Sequence, residues 1–393
     1  MFRVGRKPAV VVLATLAVAS VTFSAPASAR KVPNGPEGDA FYQPPDPLPK
    51  AKAGTLIRAQ PIEAPSGARA WRVLYHSRTA LGDDIVVSGM VVKPSGAAPK
   101  GGRPIVSWAH GTTGTADSCV PSKSGNPANI PFLLELLDAG YVVVATDYEG
   151  LGPPGLHPFL VGQSEGKGVL DVARAARQLP TGASRDLLVY GHSQGGHAAL
   201  FAGELASSYA PELELLGVAA GAPPADIELI LPAAASIPAA ANYFIEATGG
   251  FHAAYPQADP ADFLTPEALA KLPLLEELCS GDIGDAFRAI PEGLTTRSPG
   301  DVPPWPKLMR KNSAGNRKTE APVLVFQGGA DPLVLPALTD AFARKACDRG
   351  DTLDYRVYAG EDHVGALFAA RDDILAFFAA RLDGDTPTST CAT

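Results

Sequence analysis

From about residue 104 onward the chain alternates short apolar runs with helix-length segments. That pattern calls for a mostly parallel sheet with helices on its faces, because parallel strands must be joined by long crossovers. Buried strands are predicted at 104–109, 141–146, 187–190, 215–220, 322–327 and 353–358, and helices at 132–139, 165–179, 194–207, 336–346 and 365–381. Val169, Val172, Ala173, Ala176 and Leu179 fall along one face of the second of these helices and belong to the core. Ahead of this region, apolar runs at 71–76 and 85–92 flank the turn Leu81-Gly82-Asp83-Asp84 and read as a hairpin. Residues 30–54 are Pro-rich and aperiodic, as expected of an extended surface arm. The alternation breaks once, over 222–320, where helix-like stretches (clearest at 266–278) and many prolines occur without a convincing strand. A structureless loop of that length is rare in a folded domain, so the interval is read as a helical cap inserted over one end of the sheet. The predicted organisation is an export signal at 1–29, a first part of the sheet core at 30–221, the helical cap at 222–320, and a second part of the core at 321–393.

Within this frame one motif carries chemistry. Gly191-His192-Ser193-Gln194-Gly195-Gly196 directly follows a predicted strand and directly precedes a predicted helix. A nucleophile held on a strained strand-to-helix turn needs glycines two before and two after it, which makes Ser193 the candidate nucleophile. A serine hydroxyl needs a histidine base, and the base needs a carboxylate to hold its tautomer. On a doubly wound sheet with such an elbow the chain order is nucleophile, acid, histidine. His363, the one histidine beyond the cap, follows the last predicted strand and is the candidate base. Asp331 lies in the loop after strand 322–327 and is the candidate acid; Glu361 and Asp362 compete, but neighbours of His363 on one short loop tend to point away from its ring. For the developing oxyanion the expected donors are the backbone N–H of Gln194 and that of Thr112 or Thr113, in the loop His110-Gly111-Thr112-Thr113-Gly114, with a slight lean to Thr113. A threonine hydroxyl is a further candidate donor there.

The other histidines read as local. His110 is expected to shape its loop, His192 and His197 to pack or hydrogen-bond beside the elbow, and His76, His157 and His252 to sit in the core or on the surface. Asp282 and Asp285 lack a calcium-loop pattern and read as a solvated face. Neither a metal nor a cofactor is expected, since no zinc-protease, phosphate-loop or dinucleotide fingerprint is present; Glu149-Gly150-Leu151-Gly152 lacks the third glycine.

Composition excludes several classes. Of 393 residues 46% are hydrophobic and 19% charged, enough apolar surface to offset chain entropy, so a wholly disordered chain is ruled out. The net charge of −8, with no basic run past the extreme N-terminus, argues against nucleic acid as a partner. That N-terminus itself reads as a secretory signal: Arg3, Arg6 and Lys7, an apolar stretch at 9–23, then Ala27-Ser28-Ala29. The stretch is short of the roughly 20 residues that span a bilayer, so cleavage before Arg30 and a secreted protein without a stable membrane span are expected. Losing those three basic residues takes the net charge from −8 to −11. Export favours disulfides for Cys119, Cys279, Cys347 and Cys391, and sequence spacing leaves all three pairings open.

The runs 106–114, 119–122, 140–152 and 191–197, with the arm segments 41–45 and 54–58, resemble the secretory lipase family, which includes actinobacterial secreted esterases and the fungal lipase A type. The resemblance spans nearly the whole mature chain. It implies an α/β-hydrolase core, a helical cap inserted before the strand that carries the acid, and hydrolysis of carboxylic esters of acyl chains. It also implies the pairs Cys119–Cys279 and Cys347–Cys391. The oxyanion loop departs from the fungal branch, which has an acidic residue near the position of Thr113, so oxyanion details and acyl preference transfer less well than Ser193, Asp331 and His363. The expected substrate is a small-molecule or lipid ester, with a lipid–water interface as a candidate surface of action; the oligomeric state is left open. Phe244, Ile245, Phe251 and Tyr255 are candidate pocket residues, and packing inside the cap accounts for each equally well. Two other functions remain: a secreted serine peptidase of the same fold, and an inactive binding protein on a hydrolase scaffold.

Overall fold

The computed structural model describes residues 1, 2, 5 and 32–391; the predicted export signal lies almost wholly outside them. Its frame is a nine-stranded sheet in the order β1-β2-β3-β5-β4-β6-β7-β8-β9. The strands are β1 (Leu56–Ile62), β2 (Ala68–Arg78), β3 (Asp84–Pro94), β4 (Arg103–Ala109), β5 (Val142–Thr146), β6 (Ala183–His192), β7 (Glu214–Gly221), β8 (Val323–Gly328) and β9 (Leu353–Tyr358). From β5 to β9 all neighbours run parallel, and β1, β2 and β3 extend the sheet antiparallel on the β5 side. The predicted parallel strands and the hairpin are thus all present. Strand β1 was not foreseen. It is an edge strand whose pattern mixes Arg58, Gln60 and Pro61 with the buried Leu56 and Ala59, and proline is tolerated at an edge because that side of the ladder needs no N–H.

Helices α1 (Leu133–Asp138), α2 (Gly162–Ala176), α3 (Gln194–Tyr209), α9 (Pro336–Arg349), α10 (Gly365–Ala369) and α11 (Arg371–Asp383) accompany the sheet. The last two replace the single helix expected over 365–381, Ala370 turning the chain between them at ψ −4°. Apolar clusters cover both faces. Val169, Val172 and Ala198 pack with Ile105, Val144 and Val189 on one side, while Leu136, Ile374 and Phe378 pack with Val106, Val143 and Leu324 on the other. The alternation of inward residues along β4 and β5 explains the split, since successive side chains point to opposite faces.

Between β7 and β8 lie α4 (Ile227–Ala234), α5 (Ala241–Ala254), α6 (Pro266–Ala270), α7 (Ser280–Arg288) and α8 (Trp305–Lys311), with no named strand. They close over an apolar cluster of their own, centred on Phe244, Phe251, Phe263 and Trp305. This segment and the sheet belong to one unit, Val32–Thr393. One buried group in it carries a measurable consequence. Glu246 on α5 is fully buried, and neither carboxylate oxygen makes a hydrogen bond of ordinary geometry. Burial pushes its pKa up to about 8, with the Ser280 hydroxyl only a partial counterweight. A folded-state pKa above the unfolded one means stability is full below the unfolded value, near 4.5, and falls by roughly 1.4 kcal/mol per pH unit until the folded pKa is passed. Glu246→Gln is therefore expected to raise Tm at pH 8 and leave it little changed at pH 4, measured by thermal denaturation at both. An equal shift at the two pH values would show that ionisation of Glu246 is not the cause.

Candidate active site

Strand β6 ends at His192 and helix α3 begins at Gln194, so Ser193 is the single residue between them. Its backbone sits at φ 59°, ψ −124°. Such a conformation costs a non-glycine residue of order 1–3 kcal/mol and persists only where the surroundings over-determine it. Glycines supply the room. A Cβ on Gly191 would lie 2.0 Å from the Gly195 carbonyl oxygen, and one on Gly195 would lie 1.9 Å from that of Ala109. The Ser193 N–H donates to the Gly221 carbonyl at 2.9 Å, fastening the turn to β7. As first residue of α3, Gln194 has an N–H without an intrahelical acceptor.

Past β9, the His363 ring meets Asp331, from the loop after β8, with Nδ1 2.7 Å from Oδ2. Asp331 is buried and accepts from four donors: Leu333 N–H (2.8 Å) and Val334 N–H (3.0 Å) at Oδ1, and Gln327 Nε2 (2.9 Å) and His363 Nδ1 at Oδ2. Burial pushes its carboxyl up, but the bond and charge of His363 with the two backbone donors outweigh it and hold Asp331 below the usual carboxylate range. Because Nδ1 donates to a carboxylate, Nε2 is left as the basic nitrogen of a neutral His363. Of the competing acids, Asp362 is exposed and accepts from the Gly365 N–H at 2.7 Å; neither it nor Glu361 bonds the His363 ring.

Two cavities, of about 520 and 240 Å³, meet where Ser193, His363, Thr112, Tyr243 and Leu333 line both. Met90, Trp108 and Ile130 line the larger, and Phe159, Ile230, Ile237 and Ala240 the smaller. The pocket candidates Phe244, Ile245, Phe251 and Tyr255 line neither; they are buried inside the cluster of the helical segment. Their apolar character fits either place, and only the packing of α4 and α5 decides which residues face the cavity.

The loop 110–114 is held from two sides. The Thr113 carbonyl accepts from Ser280 N–H at 3.1 Å, Gly114 bridges to Cys279, and Cys279 is bonded to Cys119. A second disulfide, Cys347–Cys391, joins α9 to the C-terminal tail. The Thr113 hydroxyl is buried without a partner. His110 bonds the Gly111 carbonyl through Nδ1 at 2.7 Å, and its Nε2 lies 3.4 Å from the Asp147 carbonyl oxygen beyond β5.

Beneath the elbow lies a polar network that the sequence reading missed. Gln194 Nε2 donates to Glu165 Oε1 at 2.8 Å and to His157 Nε2 at 2.7 Å, and His157 Nδ1 donates to the Glu149 carbonyl at 2.7 Å. Burial pushes the His157 pKa down to about 4, so the ring is neutral and its Nε2 lone pair is free to accept. Glu165 Oε2 meets His197 Nδ1 at 2.8 Å, and His197 Nε2 donates to the Asn312 carbonyl at 2.8 Å. All these side chains are buried. The network fixes the Gln194 side chain and with it the orientation of the first turn of α3. One sign of it was legible: Glu165 sits four residues before Val169, on the apolar stripe of its helix, where an unpartnered charge would not survive burial.

A family model described as secretory lipase matches residues 126–288. Lipase A of Arthroderma benhamiae is 26% identical to this chain, over 93% of it and 83% of the relative. A secreted triacylglycerol lipase of Malassezia globosa is 27% identical, over 90% and 81%. Among solved structures, lipase A of Candida antarctica superposes with a TM-score of 0.77 at 21% identity, covering 90% of this chain and 87% of that one. A rice cell wall degrading esterase from Xanthomonas oryzae, in a ligand-bound form, superposes with a TM-score of 0.72 at 18% identity, covering 86% and 100%. These structural likenesses show the α/β-hydrolase fold.

Proposed function

We propose that this chain is a member of the secretory lipase family, whose model matches residues 126–288, and a secreted serine hydrolase of carboxylic esters in which Ser193, His363 and Asp331 form the catalytic triad. The observation that carries the reading is the His363–Asp331 hydrogen bond at the junction of two cavities that Ser193 also lines. Ser193 Oγ attacks the ester carbonyl while His363 Nε2 takes its proton; Asp331 stabilises the imidazolium that forms. The oxyanion is received by the Gln194 N–H and by the N–H of Thr112 or Thr113, and the unpartnered Thr113 hydroxyl offers a further donor. Collapse returns the proton to the leaving alcohol and leaves acyl-Ser193, which water, deprotonated by the same His363, then cleaves.

Residues 222–320 act in this scheme as the cap, closing the smaller cavity with Ile230, Ile237 and Ala240. Among the described residues no Asp or Glu lines either cavity, which supports an ester over a peptide whose amino terminus would need an acidic partner. Ile237, Leu333, Leu335 and Val364 line the cavities yet are 42–58% exposed, an apolar rim suited to a lipid–water interface and to lipid esters. Cleavage of the export signal before Arg30 would release the protein outside the cell.

The test is hydrolysis of p-nitrophenyl esters from acetate to palmitate by the mature protein. The expected result is turnover that follows Ser193, with the best chain length separating a short-acyl esterase from a lipase. Failure on every ester would overturn the reading and return weight to a peptidase or an inactive scaffold.

A further inference from the structure

The residue before the nucleophile does more than fill a variable position of the motif. His192 Nε2 lies 2.7 Å from the backbone carbonyl oxygen of His363. The two imidazole rings are 4.6 Å apart between centroids and tilted by 54°, and the Phe326 ring stacks on His192 at 6.5 Å. A carbonyl only accepts, so Nε2 carries the proton and His192 is the donor. The ring is almost fully buried, and burial together with the adjacent His363 pushes its pKa down to about 4, with the His363 carbonyl and Asp331 opposing weakly. It is therefore neutral wherever a neutral His363 can act as a base, and adds no positive charge beside the imidazolium.

Its place in the chain gives this contact its force. His363 belongs to the loop after β9, and in the sheet β9 is separated from β6 by β7 and β8. The loop faces solvent on one side, with Val364 58% exposed, as is Phe368 at 60% in the α10 helix that follows. Asp331 holds the side chain of His363; His192 holds its peptide. Since His192 and Ser193 are consecutive, one hydrogen bond and one peptide bond link the base to the nucleophile directly, without passing through β7 and β8. Misplacement of a reacting group by about 1 Å costs on the order of 100-fold in rate.

We infer that His192 is a positioning residue for the proposed reaction: by donating to the His363 carbonyl from the strand end that carries Ser193, it sets the distance between base and nucleophile. The inference rests on the triad reading above and adds a residue to it. Three variants of the mature protein test it. His192→Phe keeps an aromatic ring against His363 but has no N–H; His192→Gln restores a donor of similar reach; His192→Met matches Gln in length without one. Each is assayed for hydrolysis of p-nitrophenyl butyrate and for the rate of Ser193 phosphorylation by diethyl p-nitrophenyl phosphate, which needs the activated serine but no correct acyl group.

The expected result is that kcat and the phosphorylation rate fall about 10- to 100-fold in Phe and Met. KM should stay within about twofold, and Gln should recover most of the loss. Phe and Met within twofold of the parent in both assays would overturn the inference, and so would Gln falling as far as Met. A purely structural role would lower Tm and move all three variants together. Should the parent itself neither hydrolyse the ester nor react with the phosphate, the triad reading fails and this inference with it; a reactive parent with unaffected variants defeats His192 alone.

Discussion

Replacing Ser193 by alanine is expected to lower kcat on a p-nitrophenyl ester by on the order of 10⁶-fold, with the far-ultraviolet circular dichroism unchanged. The size of the loss follows from what remains: oxyanion donors and a binding cavity stabilise some of the transition state, but no covalent intermediate can form. The fold survives because the hydrogen bonds that hold the elbow come from backbone, Ser193 N–H to Gly221 and His197 N–H to the Ser193 carbonyl, and alanine keeps both. Ser193→Gly adds a second reading from the same position. Glycine adopts φ 59° without the penalty a Cβ incurs, so this variant should be as inactive as the alanine one yet melt at a higher temperature. Residual turnover within a few-fold of the parent in either variant would remove Ser193 from the mechanism. A glycine variant no more stable than the alanine one would show that the elbow is not strained.

Asp331→Asn is expected to cost about 10⁴-fold in kcat, and the four-donor environment of this carboxylate explains why an isosteric amide cannot stand in. Leu333 N–H and Val334 N–H point at one oxygen, Gln327 Nε2 and His363 Nδ1 at the other. An amide must turn its NH₂ toward one of these pairs. Facing His363, it drives the imidazole proton to Nε2 and removes the basic nitrogen; facing the loop, it opposes two backbone donors and loosens the acid's own support. The variant should therefore lose stability as well, and most visibly near neutral pH. Asp331 has a depressed folded-state pKa, so the stability it contributes is present above the unfolded carboxylate pKa and is lost as pH falls through the folded one. A mild loss of activity would direct attention to Glu361 or Asp362, although neither bonds the His363 ring here.

Where reading the chain alone succeeded, the cause was local. A strand, a serine flanked by glycines and a helix are consecutive, and the 2.0 Å and 1.9 Å approaches that exclude a Cβ at Gly191 and Gly195 leave a mark in the sequence at those positions. Strand β1 was missed because its burial alternates weakly and Pro61 argues against a strand except at an edge, a circumstance that sheet order alone reveals. The break at Ala370 left no glycine or proline to announce it. In the helical segment, Phe244 and Phe251 are as apolar as the residues that do line the cavity, so composition had no means of separating pocket from packing.

The sequence by itself determined the succession of strands and helices, the elbow at Ser193, and the order in which Asp331 and His363 follow it, because periodicity and backbone strain act between neighbours in the chain. Tertiary structure decided the rest. Residues 171 apart, His192 and His363, share a hydrogen bond; Cys119 and Cys279, 160 apart, close on the loop 110–114; Glu165 reaches Gln194 and His197 beneath the elbow. Each of these contacts exists only because the sheet brings remote loops to one edge and buries polar groups that must then find partners, a demand that sets no period in the sequence.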